Sequence, residues 1–291
     1  MAERGSMAVI ITIANEKGGV GKTTTAVNLA AGLAISLADQ PNNNRVLLVD
    51  MDPQGHALLA TAFGEHDTDP HQSLSALLVE SPPPSIQRML KPSIHHSNLF
   101  IIPSNRAAMV DASRTLPTLM ANESRLSKVL KPVLDLFAYI IIDTPPNTGD
   151  LLVNALVAAD HIIIPVEPSY LGVSGLRELQ NTIEQVRLHF NPEINILGYL
   201  PTICEEQRLE VREILEQLEQ RYPHQLLGPI HKASDLAYAH SSHMDIFTYK
   251  PPRQRLHGQL ASSSRATKEY GELVENVMKR TLTKRKTGKE E

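Results

Sequence analysis

The feature of this sequence that most constrains its fold is a series of short apolar runs separated by segments of helical length. The runs are VIITIA (9–14), RVLLVD (45–50), NLFIIP (98–103), YIIIDT (139–144), HIIIPV (161–166) and INILGYLP (194–201). Their Val, Ile and Leu residues are nearly continuous, whereas a strand with one exposed face alternates apolar with polar residues. The pattern therefore predicts an α/β fold with a doubly wound, mostly parallel sheet flanked by helices.

The chain has 291 residues, of which 42% are hydrophobic, and this is enough to bury one large core. Neither Pro-rich stretch, 81–85 or 249–255, is long enough for a domain linker, so we expect one domain over residues 1–282 and a basic, flexible tail over 283–291. No apolar run approaches the roughly 18 residues that a membrane span needs, and the first residues lack a signal-peptide pattern. We expect a cytoplasmic protein in which Cys204 is buried as a small hydrophobe.

The segment NEKGGVGKTTTA (15–26) nearly matches a phosphate-binding loop. The usual pattern, G-x-x-x-x-G-K-[ST], requires glycine where Glu16 stands, and a second lysine, Lys17, follows it. A predicted strand precedes the loop and a predicted helix follows it, which is the context that phosphate binding requires. A plain packing turn is the alternative, whereas a Rossmann site is disfavoured because G-x-G-x-x-G is absent. The loop chemistry predicts phosphate contacts from Lys22, a magnesium contact from the Thr23 hydroxyl, and close backbone approach at Gly18, Gly19 and Gly21.

Carboxylates follow two of the predicted strands. RVLLVDMDPQG places Asp50 and Asp52 at one strand end, and YIIIDTPP places Asp143 at another. Parallel sheets bind ligands at the carboxyl ends of their strands, where the phosphate loop also lies. Phosphoryl transfer needs a carboxylate near magnesium, which suits Asp143, and a group that positions water, which suits Asp52. Any one of these residues could instead cap the turn that follows it.

Four segments in this order resemble the ParA/MinD family of deviant Walker A ATPases, and most of all the ParA/Soj-type partition proteins without an N-terminal helix-turn-helix. They are KGGVGKTTTAVNLA, VLLVDMDPQG, IIIDTPPNTG and IIPVEPSYLGVSGL, so the resemblance is close from Val9 to Gly175 and looser beyond. It implies that Lys17 crosses a dimer interface to the ATP phosphates of the partner. A charge-assisted contact to the γ-phosphate would exist with ATP and be lost with ADP, so the nucleotide could switch the protein between dimer and monomer.

The resemblance also implies roles for individual residues. Lys17, Lys22 and Asp52 would support hydrolysis, and Pro145 to Gly149 would form the second switch segment. Magnesium would lie near Thr23, Asp50 and Asp143. The adenine pocket would involve the end of the sixth strand and the segment 230–235. The expected contacts to ATP are Lys17, Gly18, Gly19, Val20, Gly21, Lys22, Thr23, Thr24, Pro201 and Thr202.

Members of this family act on DNA or on membranes, and the C-terminal end distinguishes these cases. From Pro251 onward there are ten Lys or Arg against five Glu, although the whole chain carries a net charge of −4. YGELVENVMKRTLTKRKTGKEE lacks the bulky apolar face of an interfacial helix, so Leu273, Val277 and Leu282 are expected in a last core helix, with no membrane attachment. Nonspecific DNA binding is the better expectation, although a charge run can be only a solvated face. The candidates are Lys232, Arg253, Arg255, Arg265, Lys268, Lys279 and Arg280, with Lys250, Lys284, Arg285 and Lys286 also basic.

One position departs from the partition proteins. Where they often carry an arginine, this chain has Asp235, so Lys232 could substitute or the DNA surface could lie further toward the C terminus. Two histidine pairs, 95–96 and 240/243, are interpreted as surface residues rather than metal ligands.

The sequence therefore predicts a weak, partner-stimulated ATPase that uses ATP and Mg²⁺. It would form an ATP-dependent homodimer, associate with the nucleoid, and be released by an adaptor protein bound to a plasmid, a chromosome or another cargo. The alternative is a MinD-like switch that acts on a membrane or a protein scaffold without binding DNA.

Overall fold

The computed structural model describes residues 7–41, 44–57, 68–205, 207–250 and 264–287. The strands within these ranges are β1 (Val9–Ile13), β2 (Val46–Asp50), β3 (Lys91–Pro92), β4 (Leu99–Ile101), β5 (Tyr139–Asp143), β6 (His161–Val166) and β7 (Asn195–Pro201). They form one sheet in the order β3-β4-β2-β5-β1-β6-β7. All pairings are parallel except that of β3 with β4. The predicted fold class is confirmed.

Helices cover both faces of this sheet. They are α1 (Lys22–Leu37), α2 (Leu74–Val79), α3 (Arg106–Thr115), α4 (Arg125–Leu130), α5 (Asp150–Ala158), α6 (Tyr170–Ser174), α7 (Leu176–His189), α8 (Leu209–Arg221), α9 (Ser234–Ser241) and α10 (Arg265–Thr287). Every residue of β1, β2, β5 and β6 is buried, which is why these strands are continuous apolar runs in the sequence.

Helices α1 and α10 pack on the same face of the sheet and approach each other closely. Leu29 and Leu33 of α1 share a core cluster with Leu273 and Val277 of α10. The contact is tightest at Gly32, where a Cβ atom would lie 2.5 Å from Val274 Cγ2. Only glycine leaves room for this approach, so α10 is fixed against the helix that follows the predicted phosphate loop.

All six predicted strands are present. The strand at 161–166 keeps its predicted bounds, and each of the other five is one to three residues shorter in total. The sequence did not predict β3, an antiparallel edge strand of two residues that contains Pro92, and edges are where proline is tolerated. Leu273 and Val277 are buried as expected, while the side chain of Leu282 lies outside the described residues. The helical backbone of α10 continues past residue 282 to Thr287, through part of the predicted tail.

Burial also bears on Cys204, on helix α8 and on the membrane question. Cys204 is buried, as expected. Helix α8 buries Val211, Ile214 and Leu218 on one face. None of the helices in the described ranges combines the length and apolar character that a bilayer span requires.

Candidate nucleotide-binding site

The glycine-rich segment leaves β1 and enters α1 through a turn that requires glycine. Gly19 has φ 76° and Gly21 has φ 81°, in the left-handed region that other residues avoid. Gly21 is the N-cap of α1, and glycine has no side chain with which to cap the first turn of the helix. The first backbone N–H groups and the positive end of the helix dipole are therefore left for an anion.

A cavity of about 660 Å³ lies beside this turn, within the size range of small-molecule sites. Its described lining comes from three parts of the chain. The glycine turn and the start of α1 supply one wall, and the loop after β2 and Pro146 supply a second. The third wall is built by residues after β7 together with α9 and α10. The lining residues are Gly18, Gly19, Gly21, Lys22, Thr23, Thr24, Asp52, Gln54, His56, Pro146, Thr202, Ile203, Ile230, His231, Lys232, Ala233, Leu236, Ala237, His240, Ser241 and Tyr270.

Lys22 places a cation in the wall formed by the start of α1. Its ammonium curls back over the turn and donates to Lys17 O at 2.6 Å. Burial lowers the pKa of Lys22, while the charges of Asp143 and Asp52 act in the opposite direction. A partly desolvated lysine beside exposed backbone N–H groups can bind phosphate oxygens strongly.

Asp50 and Asp143 are buried side by side at the ends of β2 and β5, where they are partners in strand register. Asp50 accepts hydrogen bonds from Asp52 N at 3.0 Å and Ala57 N at 2.9 Å. Burial raises the pKa of Asp50 well above its ordinary value, and the charges of Asp143 and Asp52 add to this effect. Burial likewise raises the pKa of Asp143 to about 7. The pair therefore favours a bound proton or another cation.

The residues around Asp143 fit a magnesium ion that is shared with phosphate. Asp143 Oδ1 accepts from Thr144 N at 3.1 Å, whereas Oδ2 is buried without a hydrogen-bond partner in the described part of the chain. The Thr23 hydroxyl is near enough to lower the pKa of Asp143, although burial outweighs it. In the described ranges of the chain, no group of three or more His, Cys, Asp or Glu side chains is placed to hold a metal ion. Mg²⁺ is usually held by one or two protein oxygens plus phosphates and waters, and when bound it would neutralise phosphate charge.

Asp52 lines the cavity and also caps its own turn. Its Oδ1 accepts from Gln54 N at 2.9 Å. Capping was the alternative interpretation of a carboxylate at a strand end, and the cap is observed here. A carboxylate has further acceptor positions, so the predicted role of Asp52 stays a prediction. The capping bond orients the carboxylate at the cavity wall.

Lys17 does not line the cavity. Its backbone N–H donates to Asn15 Oδ1 at 3.0 Å, and its ammonium donates to the Leu171 carbonyl of α6. Its methylenes lie along Gly175, where an added Cβ atom would be 3.4 Å from Lys17 Cε. The ammonium of Lys17 therefore contacts a neighbouring helix and lies outside the lining of the cavity.

Comparisons with known proteins agree with this geometry. A family model described as an AAA domain matches residues 8–196. The sporulation initiation inhibitor protein Soj of Bacillus subtilis is 37% identical over 74% of this chain and 81% of its own length. The chromosome partitioning protein ParA of Myxococcus xanthus is 37% identical over 78% of this chain and 77% of its own length. The chain belongs to the ParA/MinD family of deviant Walker A ATPases.

A solved structure extends the comparison beyond the matched segments. Cobyrinic acid a,c-diamide synthase from Mycobacterium smegmatis, bound to an ATP analogue and magnesium, has a TM-score of 0.72 and 26% identity over 94% of each chain. Nucleotide and magnesium binding therefore occur in this P-loop fold. The predicted resemblance to the ParA/MinD family is confirmed.

The contacts expected of a ParA/MinD nucleotide site are divided between the cavity and the layer beneath it. Val20, Asp50, Asp143 and Pro201 lie outside the cavity lining, like Lys17, and all four are buried. Thr202 does line it, and its hydroxyl donates to Val20 O at 2.8 Å, which ties the end of β7 to the glycine turn. Residues 230–233 line the far wall, where the resemblance placed the adenine.

Several lining residues were given no role by the sequence motifs. Gln54 is part of the Asp52 turn and His56 follows it, whereas Ala237, His240 and Tyr270 come from α9 and α10. The residues of α9 and α10 are brought in by packing between segments distant in sequence. The histidines interpreted as scattered surface residues are partly organised: the rings of His56 and His240 lie 6.1 Å apart. In addition, His96 Nε2 is 2.9 Å from the buried Asp245 carboxylate, so the surface interpretation is wrong for His96.

The basic residues considered for DNA occupy different environments. Lys232 lines the cavity and pairs with Glu205 at 2.6 Å, and Arg265 pairs with Glu269 at 2.7 Å. The Arg280 guanidinium donates to Leu197 O at 2.9 Å and Leu226 O at 3.2 Å, which makes it a support of the protein backbone. Lys250, Lys268 and Lys279 are exposed. Arg253 and Arg255 lie outside the described residues, as do the side chains of Lys284, Arg285 and Lys286.

The buried carboxylate pair predicts a specific pH dependence of stability. The folded pKa of Asp143, about 7, exceeds its ordinary value of 3.8, so the folded chain holds a proton that the unfolded chain releases. The free energy of unfolding of the nucleotide-free protein should therefore fall as pH rises from about 4 to 7. We expect Asp143→Asn to reduce the stability lost between pH 5 and pH 8 by about 1–3 kcal/mol, measured by urea unfolding.

Asp111→Asn is the control, because Asp111 is 76% exposed on α3. It should follow the wild-type pH profile. If Asp143→Asn loses as much stability as the wild type over this range, the elevated pKa of Asp143 is contradicted.

Proposed function

We propose that this ParA/MinD-family chain is an ATP-driven partition or positioning ATPase. Two copies bind Mg-ATP and pair face to face, the dimer binds DNA without sequence preference, and a cargo-bound adaptor protein stimulates hydrolysis and so releases it. The chain would then be associated with the nucleoid in the cytoplasm. The observation that carries this proposal is the position of Lys17.

Two lysines of one loop have separate positions. Lys22 lines the cavity, whereas the Lys17 ammonium binds Leu171 O on α6, outside the lining. The Lys17 ammonium lies outside the lining of its own cavity, so it could exchange the Leu171 carbonyl for the phosphates of a second copy. Two triphosphates that face each other across an interface repel. If the lysine of each copy contacted the phosphates bound to the other copy, it would offset this repulsion.

The same arrangement would make pairing sensitive to the γ-phosphate. A lysine contact to the γ-phosphate is absent with ADP, so hydrolysis would remove part of the free energy that favours the dimer. Asp52, oriented by its bond to Gln54 N, would position the attacking water. Intrinsic turnover would be weak, and the adaptor would accelerate it.

Lys17→Ala and Asp52→Ala should separate pairing from hydrolysis. Lys17→Ala should bind ATP with near wild-type affinity but remain monomeric, because the cation that reaches the partner is gone. Asp52→Ala should bind ATP and persist as a dimer, because hydrolysis no longer ends the paired state. Size-exclusion chromatography with light scattering in Mg-ATP, compared with Mg-ADP, measures both results.

Lys128→Ala on α4 is the matched control, because this lysine is exposed and remote in sequence from the loop. It should elute as the wild type does. If Lys17→Ala still dimerises in ATP at the same protein concentration as the wild type, the proposed role of Lys17 is contradicted.

The DNA surface is proposed at the start of α10. His231, the residue before Lys232, places its Nδ1 2.6 Å from Glu269 Oε1, and the same carboxylate oxygen accepts from Arg265 Nε at 2.7 Å. Lys232 and Arg265 are thereby brought to one region, with Lys268 exposed on the next helical turn. Toward the C terminus the exposed face of α10 alternates Lys268 and Lys279 with Glu272 and Glu275, which weakens its attraction for phosphate.

DNA binding should depend on ATP and fall steeply with salt. We expect an Arg265→Ala/Lys268→Ala double variant to bind a random duplex about tenfold more weakly at low salt. The slope of log affinity against log salt should become shallower by about two units, because two phosphate contacts are lost. Fluorescence anisotropy of a labelled duplex over a salt series measures both, and Lys128→Ala should behave as the wild type.

Absence of ATP-dependent duplex binding by the wild type at low salt would contradict the DNA proposal. The MinD-like alternative makes the opposite prediction, namely cosedimentation with anionic lipid vesicles or assembly on a protein scaffold without DNA. The basic C-terminal end is compatible with anionic lipids, so the vesicle experiment separates the two functions.

A further inference from the structure

The turn that carries Asp52 is built by a recognisable local sequence. Asp52-Pro53-Gln54-Gly55 has Asp at the first position, Pro at the second and Gly at the fourth, as type I turns favour. Gly55 N donates to Asp52 O at 2.9 Å, and Gly55 has φ 69°. Gln54 N donates to Asp52 Oδ1 at 2.9 Å. The direction of the Asp52 carboxylate therefore depends on where Gln54 is held.

Gln54 is held from outside the turn by α3. The Arg106 guanidinium donates from Nη2 to Gln54 Oε1 at 2.6 Å. Arg106 is the first residue of α3, and this helix is anchored in the core by buried Met109 and Ala112. A side chain fixed on a packed helix thus reaches the residue that orients Asp52.

The start of α3 also contacts Thr68. Asn105 caps α3 through a bond from Ala108 N to Asn105 Oδ1 at 3.0 Å, and Asn105 Nδ2 donates to Thr68 O at 2.9 Å. Gln54 precedes residues 58–67 and Thr68 follows them. Asn105, the N-cap, and Arg106, the first residue of α3, therefore contact the chain at Thr68 and at Gln54.

Helix stability does not explain an arginine at this position. The N-terminal end of a helix carries partial positive charge, so a cation in the first turn is electrostatically unfavourable. In the described part of the chain, Gln54 is the only hydrogen-bond partner of the Arg106 guanidinium, and no carboxylate pairs with it. The contact with Gln54 is therefore what this arginine supplies to the structure.

We infer that Arg106 is a positioning residue for ATP hydrolysis, acting through Gln54 on the Asp52 carboxylate. The inference rests on the proposed ATPase function. Arg106 does not line the cavity, so its loss should slow turnover while leaving the binding of ATP unchanged. A residue that only stabilised α3 would not separate these two quantities.

The test compares four variants of the full chain with the wild type. Arg106→Ala, Gln54→Ala and their combination remove the link, and Arg114→Ala is the matched control, because Arg114 is an exposed arginine of the same helix that pairs with Asp111. Hydrolysis of radiolabelled ATP gives kcat and KM, a fluorescent ATP analogue gives affinity, and thermal unfolding reports folding.

We expect Arg106→Ala to lower kcat about three- to tenfold, because the lost hydrogen bond is exposed to solvent and so contributes about as much as an ordinary intramolecular hydrogen bond. Its KM, its affinity for the analogue and its thermal midpoint should match those of Arg114→Ala. The double variant should be no slower than Gln54→Ala alone, because both changes break one link.

Three outcomes would overturn the inference: an Arg106→Ala kcat equal to that of Arg114→Ala, additive losses in the double variant, or losses of affinity and thermal stability that accompany the loss of kcat. If the wild type binds the analogue but does not hydrolyse ATP, the proposed function fails, and the inference fails with it. Wild-type hydrolysis with an unaffected Arg106→Ala overturns the inference alone.

Discussion

The in-register pairing of β5 with β1 on one side and β2 on the other is the constraint on which the site depends. Ile13 of β1 and Asp50 of β2 are both register partners of Asp143. Because parallel strands end at one edge of the sheet, the glycine turn after β1 and both acidic strand ends lie together. A shift of one residue in either pairing would turn the Asp143 side chain to the opposite face of the sheet relative to its neighbours.

The same pairing creates an electrostatic cost that a nucleotide with a cation can offset. Two carboxylates are buried next to each other, Asp143 Oδ2 lacks a partner in the described part of the chain, and Lys22 is partly desolvated. Burial disfavours the charged form of each of these groups, and each suits Mg²⁺ or phosphate. The site therefore suits a ligand that brings both charges, and burial raises the pKa of Asp143 to about 7.

Sequence predicted the parts of this structure that local chemistry determines. Continuous apolar runs predicted the strands, and the glycines with Lys22 predicted the turn before α1. The family resemblance pointed to the segment 230–235, of which residues 230–233 line the cavity, and its contact with adenine stays a prediction. What the sequence did not predict arises from contacts between distant segments: Arg106 on Gln54, Thr202 on Val20, and the cavity wall from His240 and Tyr270. No local pattern encodes such contacts, because they depend on how helices pack over the sheet.

We propose centrally that ATP joins two copies of this chain, because Lys17 of each copy contacts the ATP phosphates bound to the other. A crystal structure of the Asp52→Ala protein with ATP and Mg²⁺ tests it most directly, by the position of the Lys17 ammonium. The account predicts that this ammonium leaves the carbonyl of Leu171 and lies about 3 Å from a phosphate oxygen of the other copy. A paired structure in which Lys17 still binds Leu171 of its own chain would contradict it.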